Sequence, residues 1–278
     1  MRSFVFSVLF LVILAVEAYP QCVSGNCDNG QGTLIYSDGK YVGRWKNGLR
    51  HGEGTFISDD GTKYICYWVD DAPNGKGKII NPDGSSFTGV IKNWQPYDGY
   101  GTVIGGNYRY EGRLKNGLFQ GKGSITYIEK EDESASGFAD GDMYAGNFVD
   151  SQKHGQGTFY YANGDKYSGN WKMNQKHGKG TMKWSERGIE YTGQWINNQP
   201  DGKGTLTYLN GAVYTGNFKR GCFEGQGTMV WADGSKYIGE WKECKQHGNG
   251  IMYNADGTVA HNGKWEDGEI ADEGNPEE

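Results

Sequence analysis

An aromatic residue returns through this chain at Tyr41, Tyr64, Phe87, Tyr110, Tyr144, Tyr167, Tyr191, Tyr214 and Tyr237, with six steps of 23 residues, one of 24 and one of 34. A period of that length means stacked supersecondary units, each too small to bury its own apolar face. Counting from the ring as position zero, position two reads Gly43, Cys66, Gly89, Gly112, Gly146, Gly169, Gly193, Gly216 and Gly239. Position four reads Trp45, Trp68, Ile91, Leu114, Phe148, Trp171, Trp195, Phe218 and Trp241. A Gly-x-Gly pair follows in every repeat, from Gly52/Gly54 to Gly248/Gly250, slipped by one residue at Gly99/Gly101.

Positions zero, two and four share one face of an extended strand. That face carries Tyr, Gly and Trp, while the opposite face carries Arg44, Arg113, Asn147, Asn170, Gln194, Asn217 and Glu240. Glycine between two large rings leaves room for a ring to lie over the backbone. A second strand starts at Gly-x-Gly and runs through pairs such as Phe159/Tyr161, Met182/Trp184, Leu206/Tyr208 and Met229/Trp231. Turns such as Asp60-Gly61, Asn163-Gly164 and Asp233-Gly234 then supply the positive φ that reverses the chain. Each repeat therefore reads as two antiparallel strands. The fold class predicted is all-β: an elongated antiparallel β-hairpin repeat array, a single twisted, solenoid-like sheet on the order of 90 Å long at about 4.8 Å per strand. Nothing in the sequence after the N-terminus reads as a helix of useful length.

The pattern Tyr-x-Gly-x-Trp-x-x-Gly-x-x-His-Gly-x-Gly resembles the MORN repeat from about Gly25 to Gly257. The repeats at Tyr64 and Phe87 depart most, with Cys66 in place of Gly and Ile91 in place of Trp. MORN-like arrays are associated with scaffolding, self-association and membrane-proximal complexes, and some are attached to phosphatidylinositol phosphate kinases. The resemblance thus implies a scaffold here, without an attached kinase domain, because the repeats take up the chain.

The domain reading is a signal peptide (1–18), a degenerate N-terminal cap repeat (19–40), repeats one to four (41–127), an acidic insertion (128–143), repeats five to nine (144–259), and a partial strand with an acidic tail (260–278). Arg2, the apolar run Phe4 to Val16, and the short side chains of Val16 and Ala18 give signal-peptide architecture with cleavage after Ala18. The predicted address is secreted or extracytoplasmic; the alternative is an uncleaved membrane anchor. Export permits disulfides. Cys22 and Cys27 could bridge within the cap. Cys222 and Cys244, one repeat apart, could bridge neighbouring hairpins, and Cys66 would then be the odd thiol. The insertion reads as a surface loop, or as a partner contact marking one side of the ribbon.

A formal net charge of −6 argues against nucleic acid as a partner. No nucleophile elbow or P-loop is present, and nine Gly-x-Gly pairs do not make the single turn that a dinucleotide site needs. His51, His154, His177 and His247 all occupy position ten, and His154 and His177, in successive repeats about 10 Å apart, are too far from each other to share a metal readily. Asp140-Gly141-Asp142 lacks a calcium loop and reads as a turn. The reading is a non-enzyme with no cofactor, no metal and no small-molecule substrate.

Three functions are open on the sequence. One is a scaffold or protein-interaction module, self-associating or holding a protein partner, with Tyr41, Trp45, Tyr64, Trp68, Tyr167, Trp171, Tyr191, Trp195, Tyr237 and Trp241 as an interaction trough. The second is a membrane-proximal module for anionic, phosphoinositide-like lipid. Its candidates are Lys46, Lys92, Lys115, Lys172, Lys219 and Lys242 at position five, with Lys76, Lys122, Lys179 and Lys203 at position twelve. The third is extracellular glycan binding, with sugar rings stacked on the aromatic trough.

Overall fold

The structure, a computed structural model, describes residues 20–128 and 139–271. The segment read as a signal peptide, most of the insertion and the last residues of the tail lie outside the described residues. Among the described residues the chain forms strands and turns and no helix, so the all-β hairpin array is what this sequence builds.

The chain divides into two compact segments, residues 1–95 and 96–278. In the first, every strand from Gln21–Gly25 to Ser86–Lys92 pairs antiparallel with the next in sequence. The second does the same from Gln95–Ile104 to Glu269–Ile270. The cap is a real hairpin: Gln21–Gly25 lies against Gly30–Tyr36, and a Cys22–Cys27 disulfide closes it. The insertion does not disturb the register, since Gly123 pairs with Gly146 across it.

Register is set by glycine. In the second segment Gly101, Gly112, Gly123, Gly146, Gly157, Gly169, Gly180, Gly193, Gly204, Gly216, Gly227, Gly239, Gly250 and Gly263 face one another strand to strand in one unbroken row. The tail of this row shows that Gly263-Lys264-Trp265 belongs to a further repeat, with His261 in the ring position and packed edge-on to Trp265.

Two kinds of turn alternate. The Asp-Gly and Asn-Gly loops join one repeat to the next, with Gly61, Gly164 and Gly234 at φ 89, 85 and 88°. Within each repeat the strands are joined by two residues that both have positive φ, the type I′ geometry suited to a twisted hairpin. These include Asp70-Asp71, Met173-Asn174, Asn197-Asn198 and Glu243-Cys244, residue pairs that carry no glycine to announce the turn.

Candidate functional site

The aromatic face is built from position zero upward. Each tyrosine ring folds flat over the glycine pair beside it: a Cβ on Gly43 or Gly54 would collide with Tyr41, and one on Gly146 or Gly157 with Tyr144. The ring hydroxyl then donates to a backbone carbonyl three residues on, as Tyr41 to Arg44 O (3.1 Å), Tyr167 to Asn170 O (2.9 Å) and Tyr237 to Glu240 O (2.9 Å). Burial raises the phenol pKa values, to about 12 for Tyr110, Tyr191 and Tyr237. Tryptophan at position four packs edge-on to the tyrosine of its own repeat and to that of the repeat before, as Trp195 does with Tyr191 and Tyr167. Except at Trp241, its indole N–H donates to the row glycine of that earlier repeat, as Trp68 to Gly54 O and Trp171 to Gly157 O, both at 3.1 Å.

Of the ten residues expected to line a trough, Tyr41, Trp45, Trp68, Tyr167, Trp171, Tyr191, Trp195, Tyr237 and Trp241 are buried, and Tyr64 is half-buried. The nine buried side chains are therefore core, and their ring faces are not free to stack a sugar. Tyr64 differs because Cys66 fills the place of the glycine: a Cβ on Gly77 would meet Cys66, not a tyrosine ring. The Tyr64 ring turns instead to Trp94, edge-on at 5.2 Å. Burial pushes the Cys66 thiol pKa up to about 12, holding it as an unreactive SH.

Position nine was not singled out by the sequence, and it carries the distinctive chemistry. It reads Arg50, Pro73, Pro96, Phe119, Lys153, Lys176, Pro200, Phe223 and Gln246. The strand register places Arg50, Lys153, Lys176 and Phe223 opposite Trp45, Phe148, Trp171 and Phe218. The N–H of position nine donates to the turn side chain of the next repeat: Arg50 to Asp71 Oδ1, Lys153 to Asn174 Oδ1 and Lys176 to Asn198 Oδ1, each 2.8 Å, and Phe119 to Ser151 Oγ, 3.0 Å. The N–H of each turn residue returns a bond to the position-nine carbonyl. Where position nine is Pro200, with no N–H, the next turn carries Gly221, with no side-chain acceptor, and only the return bond remains (2.8 Å). Repeats are thus locked to one another by a reciprocal pair of hydrogen bonds.

Two cation sites arise at this position. In the first segment Arg50 lies over the rings of Trp68, Tyr36, Trp94 and Phe56 at 4.9–5.5 Å. Its Nε donates to Asp71 Oδ1 (3.1 Å) and its Nη2 to Asp71 O (2.9 Å). In the second, Lys153 is 4 % exposed. Its Nζ lies 5.0–5.7 Å from the Phe159, Trp171, Tyr127 and Tyr144 rings and donates to Tyr127 Oη at 3.4 Å. Desolvation pushes its pKa down to about 8, against a smaller opposing pull from Asp142. Lys176 sits over Trp195, Tyr167 and Tyr161 at 5.1–5.7 Å, its pKa lowered by the same cause. A bay of about 520 Å³ opens at these two amines, lined also by Asp142, Ser151, Asn174 and Asn198.

The opposite face carries a groove floored by the glycine row. In the second segment its flank is a ladder of hydroxyls, with Thr158–Ser168 and Thr181–Thr192 bonded at 2.9 Å and Thr205–Thr215 at 3.2 Å. In the first segment Val42, Ile65 and Tyr67 flank a cavity of about 720 Å³ over Gly43 and Gly54, and they are 42, 42 and 45 % exposed.

The position-five lysines 46, 92, 115, 172, 219 and 242 are exposed, but Val69, Val149 and Ile196 interrupt them at the same hairpin-closing register. Lys219 also pairs with Glu224 at 3.5 Å. Cys222 and Cys244 are neighbours, unbridged, with a thiol hydrogen bond between them that adds to burial in raising Cys244 to about 11. The four position-ten histidines are half-buried at the start of their second strands.

A ring-over-glycine hairpin, stacked repeat on repeat by reciprocal turn bonds, defines an open array with no enclosed catalytic cleft among the described residues. The chain belongs to the MORN-repeat family, whose profile matches at residues 29–40, 41–63, 67–86, 110–128, 144–166, 167–188, 191–213, 214–236 and 237–259. The profile takes in part of the cap as a repeat and passes over 87–109, where the Gly-x-Gly pair is slipped. Comparison with curated proteins finds no match. Among solved structures, the TCP10 domain of Danio rerio CPAP is similar at 12% identity over 84% of this chain and 96% of that one, with a TM-score of 0.32. The TCP domain of Drosophila melanogaster SAS-4, solved with a proline-rich motif of Ana2, is similar at 16% identity over 50% of this chain and 69% of that one, with a TM-score of 0.31. Likeness at that level assigns nothing to this chain.

Proposed function

We propose that this is an exported, non-enzymatic scaffold that holds a partner protein along the glycine-floored groove of its first segment. The observation that carries this reading is the exposed apolar trio Val42, Ile65 and Tyr67 around bare backbone at Gly43 and Gly54. The three side chains gather around one groove, and exposed apolar side chains clustered in this way favour a protein contact. The Cys22–Cys27 disulfide supports an oxidising, extracytoplasmic address. The test is affinity capture from the native source with the mature chain beside Ile65→Lys and Tyr67→Ala. A partner retained by the parent and lost by both variants, with circular dichroism unchanged, supports the reading; a partner retained equally by all three removes it.

A further inference from the structure

The second segment holds a pair of thiols that the proposed groove does not use. The ladder between Cys222–Val230 and Lys236–Lys242 pairs Gly227 with Gly239 and reaches Gly225 opposite Trp241. The same register, carried three residues further, sets Cys222 opposite Cys244. Opposed residues of an antiparallel pair lie about 4.5–5.5 Å apart at Cα, inside the span of about 4.4–6.8 Å that a disulfide bridges. The contacts agree with this register: Cys244 N donates to Phe223 O (3.1 Å), Phe223 N donates to Cys244 Sγ (3.2 Å), and a thiol hydrogen bond joins the two cysteines. Cys244 is exposed and Cys222 half-buried, so a reagent can reach the pair. Cys244 also stands where other turns place an oxygen acceptor, in Asp71, Ser151, Asn174 and Asn198. Sulfur is a weaker acceptor than those oxygens. A second polar contact is missing at the same junction. The indole N–H of Trp241 has no acceptor, whereas those of Trp45, Trp68, Trp171 and Trp195 each reach a glycine carbonyl. The eighth and ninth repeats thus meet with weakened polar clamps where two thiols face each other.

We infer that Cys222 and Cys244 close into a reversible disulfide that staples the eighth repeat to the ninth, formed by exchange with a low-molecular-weight disulfide such as glutathione disulfide. One protein thiol loses its proton, and its thiolate attacks a sulfur of glutathione disulfide. A mixed disulfide forms and one glutathione thiolate leaves. The second protein thiolate attacks the protein sulfur of that mixed disulfide and expels the second glutathione thiolate. Two protein thiols are oxidised to one disulfide, one glutathione disulfide is reduced to two thiols, and the two protons pass to the departing thiolates. The bridge closes a loop one repeat long, so swinging the ninth repeat away from the eighth gains much less chain entropy once it has formed. Cys66 takes no part: it is buried, and it faces Gly54 on one side and Gly77 on the other.

The test is to incubate the dilute, native mature chain with excess glutathione disulfide, block the remaining thiols by alkylation, and map the cysteines by peptide mass spectrometry. A Cys222–Cys244 cross-linked peptide is expected from monomeric chain, with Cys66 still a thiol and Cys22–Cys27 intact as an internal reference. Mild dithiothreitol should release the new bridge. Hydrogen exchange supplies the second readout: the amides of Lys245–Tyr253 should exchange about tenfold or more slowly in the oxidised chain than in the reduced one. In Cys222→Ser the same treatment should leave their exchange unchanged. Three results would each overturn the proposal: both thiols alkylated while Cys22–Cys27 stays bridged, either cysteine trapped as a stable glutathione adduct or as a bridge to a second chain, or a Cys222–Cys244 bridge that leaves exchange in Lys245–Tyr253 as it was.

Discussion

Arg50 and Lys153 occupy the same position in two copies of the repeat, and the two segments treat them differently. Arg50 is ringed by four aromatics and tied to Asp71 through one side-chain and one backbone oxygen. Lys153 is also ringed by four aromatics, but the turn residue facing its backbone is Asn174, which offers the same hydrogen-bond acceptor without the charge. Both cations sit in an aromatic box, but Arg50 pairs with the carboxylate of the next turn, whereas burial pulls the Lys153 pKa down to about 8 against an opposing pull from Asp142. A repeat scaffold can thus hold its frame constant and vary the chemistry of one position by changing the turn of the next repeat.

The frame should fail equally in both segments. Gly54→Val in the first and Gly157→Val in the second each drive a side chain into the covering tyrosine, Tyr41 or Tyr144. Each is expected to cost about 4 kcal/mol or more, read by chemical denaturation. Unequal costs would mean that the two segments do not share the ring-over-glycine frame. Arg50→Ala comes next, with a loss of about 2–3 kcal/mol, because it removes the cation from the rings and two charge-assisted hydrogen bonds. Lys153→Met should act with the opposite sign, stabilising by about 1–2 kcal/mol at neutral pH by sparing the desolvated charge.

That sign can be checked by pH. The lysine pKa is lowered in the folded chain from 10.5 to about 8, so between those values the unfolded chain binds more protons and stability rises with pH. Above pH 10 the buried tyrosines oppose this, since their pKa values are raised on folding and the unfolded phenols ionise first. The rise should therefore show between about pH 8 and 10 and flatten in Lys153→Met. The smallest change tests the comparison most finely: Asn174→Asp copies the turn of the first segment into the second. It should move the Lys153 titration back toward that of an ordinary lysine, seen by NMR, and add about 0.5–1 kcal/mol at neutral pH.

The frame was legible in the sequence because a ring, a glycine and a second large apolar residue recur at fixed spacing. Gly43 and Gly54 must be bare for Tyr41 to lie over them, and that demand repeats. Cys66 was legible as a departure, and its consequence, the swing of Tyr64 toward Trp94, follows from the same demand. The residues singled out as a trough are core instead, nine of the ten buried, because each ring packs against those of the neighbouring repeat. Position nine was not legible, since Arg, Pro, Phe, Lys and Gln share no chemistry and the side chains that complete it lie 21 or 22 residues away in another repeat. One signal was available: Pro200, which has no N–H to give, is followed one repeat later by Gly221, while Arg50, Lys153 and Lys176 are followed by Asp71, Asn174 and Asn198. The in-repeat turns were missed for a related reason, since Met173-Asn174 and Glu243-Cys244 adopt positive φ without glycine.

Acrylamide quenching of tryptophan fluorescence on the mature chain tests most directly whether the rings shelter one another. Trp45, Trp68, Trp171, Trp195, Trp241 and Trp265 are buried, whereas Trp94, Trp184 and Trp231 are half-buried. Two classes are therefore expected, a larger one nearly inaccessible to quencher and a smaller one quenched readily, merging only on denaturation. A single, uniformly quenched population in the native chain would contradict the account.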